Sequence, residues 1–352
     1  MLTPVHIEKY FIYDVLYSVE GEIVIISPWE TKFNYKLITP NNEKKEFILY
    51  ENNTERSGHH NYIYRCAVDK YTPIIKLLIN DTDIIETKVN IYKTFKNKLI
   101  ISTLVKNEDN YIIQWIEYHK KLGIDNFVIY DNKDSQHLPT DYKKQNWQWV
   151  THDNIRKNET NSNLNELLKE YILDGSVLLI KWPYKYVLEK SGVSGLSTQQ
   201  CHSLYAFRDS KYIAYFDIDE YINPQTTDYN LHNFLKNYII NNDIDYNSIG
   251  GLTITCKLFF NPFNKSEIGY DFLRIYDCDN FTPLPHRVKN FAIPKNVNAW
   301  CLHEMANGKP TVCIDNKLIY FNHYFYLNKH RGKNNKNLTD NTIERLLNEF
   351  NI

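Results

Sequence analysis

Glycine is scarce, 11 among 352 residues, and over residues 1–96 no glycine loop or acid cluster stands out. The six cysteines are scattered with no C-x-x-C, which argues against a zinc site and points to buried free thiols. Charge of one sign is also missing. Forty-one basic and 42 acidic residues leave a net charge of −1, so no electrostatic surplus calls for nucleic acid or an anionic membrane. Nowhere do eighteen apolar residues run together, which excludes a membrane-spanning helix. The start, "MLTPVHIEKYFIYD", lacks a basic stretch followed by an apolar core, so no secretory signal is read and a soluble, cytoplasmic protein is expected. What is abundant is tyrosine, with 28 residues, and chain length enough for a substantial core.

Residues 1–96 carry short β-type runs, among them "GEIVIISPW", "FNYKLITP", "KEFILYE", "NYIYRCAV", "PIIKLLI" and "TKVNIYKT", separated by turn clusters. That spacing predicts a small antiparallel accessory domain. From Lys98 the pattern changes. "KLIISTLV" and "NFVIYDN" read as buried strands. Between them Ile112, Trp115, Ile116, His119 and Leu122 recur at helical spacing, with Asn107 as N-cap and Gly123 as stop. Strand, helix, strand in so short a span is a βαβ unit with parallel strands. "NELLKEYIL" then "SVLLIKW", and "LSTQQCHSLYAFRDS" then "KYIAYF", repeat the order. The expected fold class is α/β, a mostly parallel sheet over residues 97–328. "LHNFLKNYII" reads as helix, "SIGGLTITCKLFF" as strand, and residues 329–352 as a polar linker with a short amphipathic helix.

The fourth parallel strand ends in three acids, "YIAYFDIDEYINP". In open α/β sheets ligands bind outside the carboxyl ends of the strands. Asp217 and Asp219, two apart, point to the same side if the extended conformation persists. Two close carboxylates are unfavourable alone but suit a hard divalent cation, and Mg2+ or Mn2+ completes its shell with substrate phosphates. The pair therefore predicts a metal, and the metal a phosphorylated substrate. An EF-hand loop would continue with a third acid, a glycine and a distal glutamate, which are missing here. No Gly-Ser pair precedes the acids, where Arg208-Asp209-Ser210-Lys211 stands instead, so a nucleotidyltransferase is disfavoured.

Four blocks carry a resemblance. They are Lys106-Asn107-Glu108 with Trp115-Ile116, Tyr118-His119, Leu122-Gly123 and Tyr130-Asp131-Asn132; Gln199 with Cys201 and Arg208; Asp217-Ile218-Asp219-Glu220-Tyr221; and Lys289, Pro294, Val297 and His303 followed by His323-Tyr324. In this order they resemble a GT-A type glycosyltransferase, closest to glycosyltransferase family 92 and its family-2-like relatives. The resemblance implies a Rossmann-like nucleotide-sugar fold and a DxD motif whose Asp217 and Asp219 hold Mn2+ (or Mg2+) on a UDP-sugar. It further implies transfer with inversion to a glycan or other hydroxyl acceptor, with galactose as the sugar. Asp219 is the first candidate for direct ligation, with Asp217 reaching the metal, its water or the ribose. His303, ahead of His323, is the candidate third ligand. Asp131 is placed for the uridine, Lys106, Asn107, Glu108 and Gln199 for the nucleotide, and Arg287 and Lys289 for the diphosphate. Glu220 reads equally as a neighbour of the metal or as a helix-start acid, and His119 as packing. Asp271 and Glu304 are undivided candidates for the general base. Two other readings stay open: a non-catalytic carbohydrate-binding or structural protein retaining the fold, and another metal-dependent nucleotide enzyme.

Overall fold

The computed structural model describes residues 1–51, 61–106, 108–135, 163–185, 194–227, 229–259, 273–274, 277–281, 287–301, 303–324 and 338–352. Strands β1 (Asp14–Ser18), β2 (Glu22–Pro28), β3 (Tyr35–Ile38), β4 (Lys44–Glu46), β5 (Ile48–Glu51), β6 (Asn61–Ala67), β7 (Ile74–Ile79) and β8 (Asp83–Lys88) come first. They form two antiparallel sheets, in the orders β1-β2-β6-β5 and β4-β3-β7-β8. Alternation explains the packing. Ile23 and Ile25 of β2 face one core with Tyr35, Leu37, Tyr64 and Leu77, while Val24 and Ile26 face another. Two sequence readings need correction here. The run "KEFILYE" splits at Phe47 between the two sheets. The last strand is Asp83–Lys88 rather than a run beginning at Thr87, because Asn80 and Asp81 adopt positive φ (50° and 60°) and turn the chain early.

The next segment holds β9 (Leu99–Val105), α1 (Asp109–Lys121), β10 (Asn126–Asp131), α2 (Leu164–Leu167), α3 (Lys169–Leu173), β11 (Val177–Lys181), α4 (Ser194–Ala206) and β12 (Tyr212–Tyr215). The four strands are parallel and lie side by side as β11-β10-β9-β12. The chain thus steps outward twice from β9, then returns to pair β12 on its other side. That reversal is a topological switch point, the place where open sheets leave a crevice at their carboxyl edge. On one face Ile112, Trp115, Ile116, His119 and Leu122 of the α1 region are buried as their spacing predicts. Gly123, at φ 85°, ends that helical stretch. On the other face α4 inserts Cys201, Leu204 and Tyr205 between the parallel sheet and β1-β2-β6. The single helix expected over "NELLKEYIL" is two short ones, broken around the wholly buried Leu168.

The remaining elements are β13 (Glu220–Pro224), α5 (Leu231–Asn241), β14 (Gly251–Ile254), β15 (Cys256–Phe259), β16 (Asp277–Cys278), β17 (Lys289–Ala292), β18 (Val297–Cys301), β19 (Glu304–Gly308), β20 (Thr311–Cys313), β21 (Ile319–Tyr324), β22 (Leu338–Thr339) and α6 (Glu344–Phe350). Strands β17, β14 and β20 extend the main sheet beyond β12, with β17 antiparallel to it. A second sheet has the order β13-β21-β15-β16-β22. The run "SIGGLTITCKLFF" is therefore two strands, divided at Thr255 and shared between the sheets, not one. Leu346, Leu347 and Phe350 of α6 join the core that α1 also enters.

Candidate functional site

The acids sit on a turn. After Tyr215 the extended conformation does not persist, contrary to the condition attached to their spacing. The Glu220 amide donates to the Asp217 carbonyl (3.1 Å), and the Asp217 amide donates to Glu220 Oε2 (2.9 Å). Glu220 opens a strand, β13, not a helix, and pairs in register with His323 of β21. The turn is held from both sides. Trp115 Nε1 donates to the Glu220 carbonyl (3.0 Å) from α1, and the Tyr324 amide donates to the Asp219 carbonyl (2.9 Å) from β21.

Three cationic or basic groups converge on these carboxylates. Lys289, the first residue of β17, has a side chain only 4% exposed; its Nζ lies 2.9 Å from Asp217 Oδ2 and 2.6 Å from Glu220 Oε2. His323 places Nε2 3.3 Å from Asp219 Oδ2 and Nδ1 3.5 Å from Glu220 Oε1. Burial opposes charge on that imidazole, but the two carboxylates outweigh it and hold its pKa well above the ordinary histidine value. Desolvation by the surrounding protein works against the Asp217 carboxylate, yet Lys289 overrides it and keeps the carboxyl below its usual range. Glu220 is the opposite case: burial pushes it up to about 7, against the pull of Lys289, with Asp217 adding repulsion. His303 is pushed down to about 3 by burial and by Lys289, so its imidazole is neutral. Its Nδ1 is buried with no hydrogen-bond partner among the described residues.

Neighbouring strand ends supply the other residues expected at the site. Asp131 pairs in register with Val105, so the ends of β9 and β10 are level, and β12 lies on the far side of β9. Lys106, just past β9, is nearly buried and donates to Ser135 Oγ (3.1 Å). Asp131 is buried and accepts the Lys133 amide (3.1 Å); burial raises its pKa. Glu108 stands at the N-cap of α1, the place assigned to Asn107, which lies outside the described residues. Gln199 is wholly buried in α4; its amide donates to Ser102 Oγ (2.6 Å) and its Oε1 has no partner among the described residues. Arg208 braces the fold, donating to Glu20 (2.6 Å) and to the Pro294 and Val297 carbonyls (2.7 and 2.9 Å). Arg287 precedes β17 with a positive φ of 51°. His119 is packing, as expected, donating through Nδ1 to the Trp115 carbonyl (2.8 Å). Asp271 lies outside the described residues, as does the side chain of Glu304.

A sequence profile of glycosyltransferase family 92 matches residues 144–352, more than half of the chain. The chain belongs to glycosyltransferase family 92. Curated family 92 proteins of rice (Oryza sativa subsp. japonica) and castor bean (Ricinus communis) are 24% and 20% identical over 237 and 236 residues, each covering 65% of this chain. Those stretches are 33% and 36% of the relatives, so the chain spans about a third of their length. Among solved structures, the apo form of WbbM, a bifunctional glycosyltransferase, aligns over 61% of this chain and 36% of its own, at 11% identity and a TM-score of 0.27. That likeness is too slight to bear on the fold. The family 92 profile takes in the acid turn, Lys289 and both late histidines; the block from Lys106 to Asn132 lies before its matched span.

Among the described residues no three His, Cys, Asp or Glu side chains are gathered so that they could hold a metal ion by themselves. What the turn offers is open: Asp217 and Asp219 side chains keep 43% and 25% of their surface exposed, and a neutral imidazole with an unpartnered nitrogen lies in the field of Asp217. Such an arrangement fits Mg2+ or Mn2+, which take few protein carboxylates and fill their shell with water and phosphate oxygens. Between the two histidines, His303 fits better, because His323 is already committed as a protonated partner of Asp219. Sequence reasoning placed Lys289 on the diphosphate and missed that it bridges Asp217 and Glu220. It also missed a fully buried cluster in which Asp14 accepts from Tyr92 (2.5 Å) and His202 Nε2 (2.9 Å), with Tyr130 on His202 Nδ1 (2.7 Å). No local signal announces that cluster, since its members lie on three different elements and the segment between β8 and β9.

Proposed function

We propose that this chain transfers a sugar, galactose first among the candidates, from a UDP-sugar to a hydroxyl of a glycan or other acceptor. The fold in this reading is GT-A, with residues 1–96 as accessory domain, 97–328 as catalytic domain and 329–352 as C-terminal extension. The observation that carries the reading is the acid turn at the carboxyl end of β12, beside a switch point, in a chain of family 92. Asp217 and Asp219 would hold Mn2+ or Mg2+, with His303 as third ligand. When bound, such an ion neutralises charge on the leaving diphosphate. Everything else falls to the chain's own groups. Lys289 keeps the Asp217 carboxyl ionised at neutral pH and so keeps a ligand available. The fixed turn positions Asp219 without further loop ordering. Asp131 and Lys106 orient the nucleotide from the ends of the neighbouring strands, with Asn107 and Glu108 beside them. Gln199 acts beneath them through Ser102. Inversion by one in-line attack of the acceptor hydroxyl completes the reading, by family resemblance.

Release of UDP from a panel of UDP-sugars, with Mn2+ and then with EDTA, tests it. Wild type should turn over at least one donor with metal, and Asp219→Ala should lose about 100-fold or more. Turnover indifferent to EDTA and to Asp219→Ala would overturn the metal assignment.

A further inference from the structure

The hairpin of β18 and β19 carries His303 at its tip, between Cys301 and Glu304, the last pair of its ladder. The two strands form a sheet of their own, and their register shifts between Val297 and Ala299 and again between Ala299 and Trp300. A two-stranded ribbon with such irregularities does not by itself fix the direction of a side chain at its tip. The body of the hairpin is held by α4, where the Trp300 amide donates to Cys201 Sγ (3.4 Å) and the Tyr205 hydroxyl donates to the Asn298 carbonyl (2.7 Å). The tip is held from β17. Asn290 is 2% exposed, and its Nδ2 donates to the His303 carbonyl (2.9 Å). Its Oδ1 accepts from the Thr253 hydroxyl, directly opposite on β14. Both halves of the amide are therefore used, and the Thr253 hydroxyl leaves it one orientation, with the nitrogen toward His303.

Asparagine is a poor strand former, and a buried amide costs free energy unless its polar atoms are bonded. Its place on β17 gives the reason for it. Alternation along this strand sends Lys289 and Phe291 to the face of α1 and the acid turn, and Asn290 and Ala292 to the face of α4 and the hairpin. Adjacent residues at one strand end thus reach Asp217 from one face and the loop of His303 from the other. We propose that Asn290, oriented by Thr253, is a positioning residue that sets His303 against the acid turn for metal binding. The inference rests on the reading of His303 as third ligand. A partner that orients a ligand without touching the ion is worth about 10–100-fold in metal affinity.

Mn2+ titration of the full chain in the presence of UDP, read as loss of the free-ion electron paramagnetic resonance signal, tests this without requiring turnover. Wild type should bind, His303→Ala should bind about tenfold or more weakly, and Asn290→Leu should fall by a similar factor. Thr253→Val keeps the shape of its strand position and removes only the orienting hydroxyl. It should weaken binding by about threefold or more, and it carries the test should Asn290→Leu fail to fold. The deciding comparison sets Asn290→Leu/His303→Ala and Thr253→Val/His303→Ala beside His303→Ala alone. Neither double variant should bind Mn2+ more weakly than the single one, because a positioning residue then has nothing left to position. Further loss in the double variants would make Asn290 a general support of the fold and overturn the proposal. Full Mn2+ affinity in Asn290→Leu and Thr253→Val, with His303→Ala impaired, would also overturn it and leave His303 as a ligand. Mn2+ affinity untouched by His303→Ala, or no Mn2+ binding by wild type, would overturn the ligand reading and the proposal together.

Discussion

Lys289 shows how a single side chain can fix the electrostatics of a site. Its ammonium lies between Asp217 and Glu220 with almost no exposure, so removing it leaves the buried Glu220 carboxylate with only His323, at 3.5 Å, to offset it. Lys289→Met should cost on the order of 3–5 kcal/mol in urea unfolding at pH 8. The pH dependence gives the sign. Glu220 is already pushed up to about 7, above an ordinary value of 4.5, so the native state holds its proton more tightly than the unfolded chain. Its contribution is present below pH 4.5 and is lost as pH rises, and without Lys289 that loss deepens. The variant should therefore be more stable at pH 5.5 than at pH 8. His119 carries the opposite sign. Burial pushes it down to about 3 from an ordinary 6.5, so between those values the unfolded chain takes up a proton that the native state refuses. Stability should fall with acidification by up to about 1.4 kcal/mol per pH unit, and His119→Gln should flatten that limb in denaturation curves. The acids were legible in sequence because they interrupt an apolar run, and His119 because it falls on a helical stripe. The role of Lys289 was not, because it depends on a turn residue, Asp217, 72 positions away.

At the scale of elements, the parallel strands and α1 were legible because burial on both faces writes itself as continuous apolar sequence. Where one run serves two sheets, periodicity has no mark for the break. Thr255 and Phe47 are such points, and both runs were read as single strands. The turn at Asp217 was hidden for a related reason. Its closure depends on the Glu220 side chain accepting the Asp217 amide, which no spacing rule encodes. Gly251 is a further constraint set by packing. A Cβ there would meet the Phe291 carbonyl oxygen at 2.5 Å, on the β17 backbone. Gly251→Ala should cost about 1–3 kcal/mol by forcing β14 away from β17, read as a lowered urea midpoint. Since β17 begins with Lys289, the same variant should also loosen the acid turn.

On the scale of the whole molecule, the N-terminal sheets are packed against the parallel sheet and not merely tethered to it. Asp14 of β1, His202 of α4, Tyr130 of β10 and Tyr92 form one buried hydrogen-bonded cluster across that boundary, and Arg208 reaches Glu20 nearby. Asp14→Ala should therefore lower stability by on the order of 3–5 kcal/mol, and residues 1–96 should unfold in the same transition as the rest. A separate early transition for the N-terminal sheets would contradict this. The β-rich start and the α/β centre were both legible from run length and turn spacing, whereas their fusion was not, because contacts spanning 188 residues leave no pattern in a linear chain. The central claim is that Asp217 and Asp219 hold a divalent ion on a uridine diphosphate. It is tested most directly by calorimetric titration of UDP with Mn2+ and then with EDTA, on wild type and on Asp219→Ala. The account predicts UDP binding that requires the metal and disappears in the variant; UDP binding unaffected by EDTA and by Asp219→Ala, or no binding of UDP under any condition, would contradict it.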